Sequence, residues 1–121
     1  MKYCWTTLYV KDMNESLKFY QEIAGLKLDR RMKPSPEMEL AFLGSGETQV
    51  ELICDSKIIN PQFGGNISIG FEAGSLDKFT ELLKSQNIPV HSGPIQPNPH
   101  IRFLYVLDPN GLKVQFIEFI K

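Results

Sequence analysis

Tyr3 to Val10 is an apolar run broken only by Thr6 and Thr7, rich in β-branched and aromatic residues, which predicts a strand. Asp12-Met13-Asn14-Glu15 then sets a capping oxygen three residues ahead of a Glu, the start of a helix. Met13, Leu17, Tyr20 and Ala24 recur at helical spacing and form one apolar face, and Gly25 is placed to stop the helix in the left-handed backbone conformation. Three strand-like runs follow, Leu26 to Lys33, Met38 to Leu43 and Gln49 to Cys54, parted by Pro34-Ser35-Pro36 and Gly44-Ser45-Gly46.

The same pattern then restarts. Ile67 to Phe71 reads as a strand, Ser75 caps a helix whose apolar face is Leu76, Phe79, Leu82 and Leu83, and Asn87 with Pro89 ends it. Val90 to His91, Ile101 to Leu107 and Leu112 to Ile120 are the next strands, and Asp108-Pro109-Asn110-Gly111 makes a strong turn between the last two. The order β-α-β-β-β thus occurs twice. It predicts an α+β protein of two tandem βαβββ modules, about 1–55 and about 66–121, with a Pro- and Gly-bearing linker over 56–65, all within one domain spanning 1–121. A ferredoxin-like fold needs fewer strands. Neither module alone buries enough surface for comfort, so the modules are expected to pack on each other or on a second chain.

Composition narrows the function classes. A chain of 121 residues with 42% apolar content suits one globular domain. A net charge of −1, with basic residues dispersed apart from Arg30-Arg31, gives no footing for nucleic acid. No apolar run approaches a membrane span. The amino-terminal residues lead straight into a strand with no signal-peptide pattern, so a cytoplasmic protein is expected. Cys4 and Cys54 sit in apolar strand-like runs and are expected to be buried reduced thiols. Walker, dinucleotide-binding and nucleophile-elbow motifs are absent.

Several segments taken together resemble the vicinal oxygen chelate superfamily, which includes glyoxalase I, bleomycin-resistance proteins and extradiol dioxygenases. They are Thr6 to Met13, Ser16 to Tyr20, Gly25 to Leu28, Val50-Glu51-Leu52 and Asp108 to Glu118. The resemblance implies a cupped mixed sheet with helices outside and a homodimer. It also implies a cavity holding a divalent metal that chelates neighbouring substrate oxygens as a Lewis acid. By motif match the ligand positions are Trp5, Glu51, Asn66 and Gln115.

The residue types there change the expectation. Indole offers a hydrogen-bond donor and no lone pair, and the Asn66 and Gln115 amides are neutral, weak donors of electron density. Divalent metals favour imidazole and carboxylate ligands, so no metal is expected; were one bound, Glu51 and Gln115 would be its ligands. His91 and His100 flank a proline-rich stretch without ligand spacing. Strand parity places Trp5, Thr7 and Tyr9 on one face, with Glu51 on another strand and Lys113 and Gln115 on the last. Phe103 and Tyr105 share a face beside them. An aromatic-walled pocket for a small organic molecule follows, and the same aromatics would equally serve as packing. Glu51, facing partly apolar surroundings, is the candidate catalytic base, or else a structural group paired with Lys113 or hydrogen-bonded to Gln115. Arg102 and Lys113 are candidates for an anionic substrate group, or else exposed sheet-edge charges. Two functions stay open: a metal-independent binder of the bleomycin-resistance kind, and a metal-dependent lyase or isomerase resembling lactoylglutathione lyase. A third reading is a partner-binding subunit without small-molecule chemistry.

Overall fold

A computed structural model describes residues 1–121. The chain divides into two units, Met1–Gln62 and Phe63–Lys121. The first contains β1 (Trp5–Tyr9), α1 (Met13–Lys18), β2 (Leu28–Ser35), β3 (Met38–Leu43) and β4 (Gln49–Asp55). The second contains β5 (Ser68–Glu72), α2 (Leu76–Ser85), β6 (Ser92–Asn98), β7 (Ile101–Leu107) and β8 (Lys113–Phe119). Their sheets have the same plan, β1-β4-β3-β2 and β5-β8-β7-β6, each with one parallel pair and two antiparallel pairs. The strands therefore form two four-stranded mixed sheets, one per unit.

Each helix starts where its sequence allows. The Asp12 carboxylate accepts from the Glu15 amide at 2.9 Å, and the Ser75 hydroxyl from the Lys78 amide at 3.2 Å. After Lys18 the first helix widens into π geometry over Phe19–Ile23, which brings Phe19, Tyr20 and Ile23 into the core together. Gly25, at φ 71°, closes it.

Strand alternation separates two faces in each sheet. In the first unit Leu8, Val10, Ala41, Leu43, Val50 and Leu52 are buried, as are Met13, Leu17 and Tyr20 of the helix. In the second, Leu104, Val106, Val114 and Phe116 are buried, as are Leu76, Phe79 and Leu83; the Phe79 and Phe116 rings lie 4.2 Å apart. The opposite face of each sheet carries Trp5, Thr7 and Tyr9 or Lys113, Gln115 and Tyr105.

Three expectations are corrected. The strand placed at Val90 to His91 lies at Ser92–Asn98 and contains Pro94 and Pro97. It is an edge strand, hydrogen-bonded to β7 alone and interrupted in register, so the missing proline N–H groups break no ladder on its outer side. Cys4 is exposed and Cys54 half-buried, and both are free thiols. Cys4 precedes β1 instead of lying within it, which is why it escapes burial. Arg102 has the parity of the helix-covered face. It is ion-paired with Glu118 at 3.4 Å and Asp77 at 3.6 Å, so it is spent on structure. No helix is long and apolar enough to cross a membrane.

Candidate functional site

Register sets a row of four side chains across the open face of the first sheet. Thr7 on β1 is opposite Glu51 on β4, Glu51 is opposite Phe42 on β3, and Phe42 is opposite Arg30 on β2. The Thr7 hydroxyl donates to Glu51 Oε1 at 2.5 Å, and only 9% of Glu51 is exposed. A carboxylate so far out of water needs such a charge-assisted donor. Phe42 is buried beneath two neighbours. Trp5 meets it edge-on with ring centroids 5.2 Å apart, and the Arg30 guanidinium lies 4.2 Å over its ring. Trp5 itself remains 45% exposed, a large aromatic surface left in water. It also lines a cavity of about 360 Å³ with Lys2, Cys4, Asp29, Glu47 and Gln49. The Gln49 amide donates to Asp29 and to the Gly44 carbonyl, both at 2.9 Å, and so braces that end of the sheet.

The second unit repeats the row with other chemistry: Gly70, Gln115, Tyr105 and Ser92. A Cβ on Gly70 would stand 3.3 Å from Gln115 Oε1, so the missing side chain makes room for the amide. Lys113 Nζ lies 4.9 Å from the centroid of Tyr105, whose ring meets Phe103 edge-on at 5.9 Å. The residues singled out from the sequence thus fall on two sheet faces. Trp5, Thr7, Tyr9 and Glu51 share the first, and Phe103, Tyr105, Lys113 and Gln115 share the second.

Asn66 is the exception. It is exposed in the turn before β5. The repeat assigns Trp5 a different counterpart. Trp5 stands seven residues before its helix cap Asp12, and Ser68 stands seven before Ser75. Trp5 is also two residues before the partner of Glu51, as Ser68 is two before the partner of Gln115. Counting back from the helix cap would have found Ser68 in the sequence. Phe42 and Arg30 were missed as well, because a single apolar residue and one member of an Arg-Arg pair carry no motif.

Trp5 and Glu51 give the first unit an indole and one carboxylate, and Ser68 and Gln115 give the second a hydroxyl and an amide; neither pair is a strong donor set for a divalent cation. No group of three or more His, Cys, Asp and Glu side chains is gathered where it could hold a metal ion. His91 and His100 are exposed on either side of β6.

A twice-repeated βαβββ unit with an open, aromatic-bearing sheet face defines a class of protein. A family model described as the Glyoxalase/Bleomycin resistance protein/Dioxygenase superfamily matches residues 2–116, and the chain belongs to that superfamily. A lactoylglutathione lyase of Haemophilus influenzae is 31% identical over 128 residues, covering 98% of this chain and 93% of its own length. Two solved structures share the fold. Glyoxalase I of Leishmania major, described as trypanothione-dependent, has a TM-score of 0.83 at 21% identity and covers 98% of this chain and 86% of its own. TnmS3, an antibiotic-binding protein from Streptomyces, has a TM-score of 0.76 at 18% identity and covers 98% of this chain and 96% of its own.

Proposed function

We propose that this chain is a small-molecule-binding member of the superfamily that works without the usual metal. The carrying observation is the half-exposed Trp5 indole standing beside the buried Phe42 and the donor-braced Glu51. A flat organic ligand would gain from stacking on the indole, and Glu51 would fix its orientation by accepting a hydrogen bond. The weak donor set at the family's metal positions supports the same reading, as does the likeness in fold to an antibiotic-binding protein. Apolar side chains left exposed on both open faces, Trp5 and Tyr9 on one and Leu107 and Phe119 on the other, support a homodimer.

The test titrates a panel of aromatic and heteroaromatic compounds against Trp5 emission, with and without EDTA. A saturable change that EDTA leaves intact is expected. No response from any compound sinks the proposal.

A second reading rests on Glu51 and on 31% identity to a lactoylglutathione lyase: a lyase or isomerase with Glu51 as base or metal ligand and Gln115 as an oxygen ligand. Stoichiometric Ni, Zn, Mn or Fe in protein purified without chelator, lost in Glu51→Ala, would establish it over the first.

A further inference from the structure

The row Thr7–Glu51–Phe42–Arg30 carries two charges of opposite sign that do not meet. Glu51 on β4 and Arg30 on β2 are separated by β3, so their backbones stand two strand spacings apart, about 10 Å. Phe42 fills the gap between them. The guanidinium lies 4.2 Å over the Phe42 ring, and Arg30 is exposed to solvent. No carboxylate is paired with it. Its neighbour Arg31 shows the contrast: that guanidinium grips both oxygens of Glu39, at 2.8 and 3.1 Å, and also reaches Asn14. Asp29, next to Arg30 in sequence, is engaged by Gln49.

The fold does not require these charges. In the second unit the equivalent row reads Gly70, Gln115, Tyr105 and Ser92, with no ion at either end. Burying the Glu51 carboxylate costs desolvation free energy that an uncharged row avoids. A row with both charges thus occurs on one face only.

We propose that the first sheet's open face takes a flat, bipolar ligand. A carboxylate-class anion is held by the Arg30 guanidinium. A cationic or hydrogen-bond-donating group is held by Glu51, and the body rests against Trp5. This rests on the small-molecule-binding reading and adds to it the charge pattern of the ligand.

The experiment uses the full chain and calorimetry. The probe is 6-(aminomethyl)-2-naphthoate, whose two charged groups span the row. Its controls are the carboxamide, the N-acetyl derivative and the compound carrying both changes. Wild type is expected to bind the zwitterion about five- to tenfold more tightly than either singly neutralised form, the range for one charge-assisted contact partly screened by water. Arg30→Gln should erase the preference for acid over amide and keep the preference for free amine, and Glu51→Gln should do the reverse. Arg30→Lys keeps the charge without the planar fork and should retain part of the acid preference. Equal affinity for all four probes, or an acid preference unchanged in Arg30→Gln, overturns the proposal while leaving the binding reading standing. Binding by none of the four overturns it too, and the Trp5 emission panel then decides the broader reading separately.

Discussion

Removing the Asp108 carboxylate should unravel the turn that holds β7 and β8 in register, and with it the placement of Gln115 opposite Tyr105. One oxygen, Oδ1, accepts from the backbone amides of Asn110 at 2.8 Å and Leu112 at 2.9 Å, and Asp108 is only 5% exposed. In Asp108→Ala the Leu112 amide is left buried without that acceptor, at a cost of about 1–3 kcal/mol. The Asn110 amide is half-buried and regains some water, so its loss is nearer the net value of about 0.5–1.5 kcal/mol. Together they predict a destabilisation of about 2–4 kcal/mol, a large share of the ~5–15 kcal/mol that a domain usually has. Asp108→Asn keeps a carbonyl oxygen in the same place and should lose no more than about 1 kcal/mol. Urea unfolding followed by far-UV circular dichroism reads both variants. With a slope of about 2 kcal/mol per molar, the Ala midpoint should fall by about 1–2 M. An Ala variant within about 0.5 kcal/mol of wild type, or an Asn variant as damaged as Ala, would refute the assignment of the cost to two orphaned amides.

Other outcomes follow from single contacts. Gly93 has φ 98°, and a Cβ there would come within 3.0 Å of the Phe103 carbonyl oxygen; Gly93→Ala should therefore lose at least about 2–3 kcal/mol by thermal denaturation. Gly25 has φ 71° with nothing within 4 Å of an added Cβ, so Gly25→Ala should lose only about 1 kcal/mol in the same assay. Burial, followed by a smaller push from Asp12, Glu39 and Asp55, raises the Cys54 thiol above its usual value against a lowering contact with Met13. Iodoacetamide followed by mass spectrometry should label exposed Cys4 ahead of Cys54 near pH 8, with the gap closing in urea. Because the folded state holds that proton more tightly, ionisation of Cys54 should cost stability only as pH rises into the alkaline range, and acid should leave it untouched. Arg31→Ala should cost at most about 1 kcal/mol in urea titration, since the Arg31–Glu39 pair is largely in water.

Periodicity carried most of the fold. Alternation through Lys113, Val114, Gln115 and Phe116 marks a helix-covered face, and the capping oxygens of Asp12 and Ser75 mark both helix starts. The sequence misled where a local rule met a tertiary exception. Pro94 and Pro97 argue against a strand until the strand is known to be an edge, which is a property of neighbours and not of the segment. The two glycines before Asn66 blurred the start of β5, so the repeat position passed to Asn66 when the cap-to-strand count gives Ser68. Arg30 and Arg31 look alike in sequence. Strand parity sends one to Glu39 and Asn14 and leaves the other over Phe42, and neither destination is legible until β2 is paired with β3.

The prolines of the outer strands bear on how the protein behaves in a crowded solution. Pro94 and Pro97 on β6 and Pro34 on β2 remove amide donors from two of the four sheet borders, and Arg30, Arg31 and Lys33 add charge to the second. A stray extended peptide arriving there finds gaps in the ladder it would need, so self-assembly into fibrils by strand addition is discouraged on those sides. The β1 and β5 strands contain no proline, so every residue along those borders keeps its backbone amide donor.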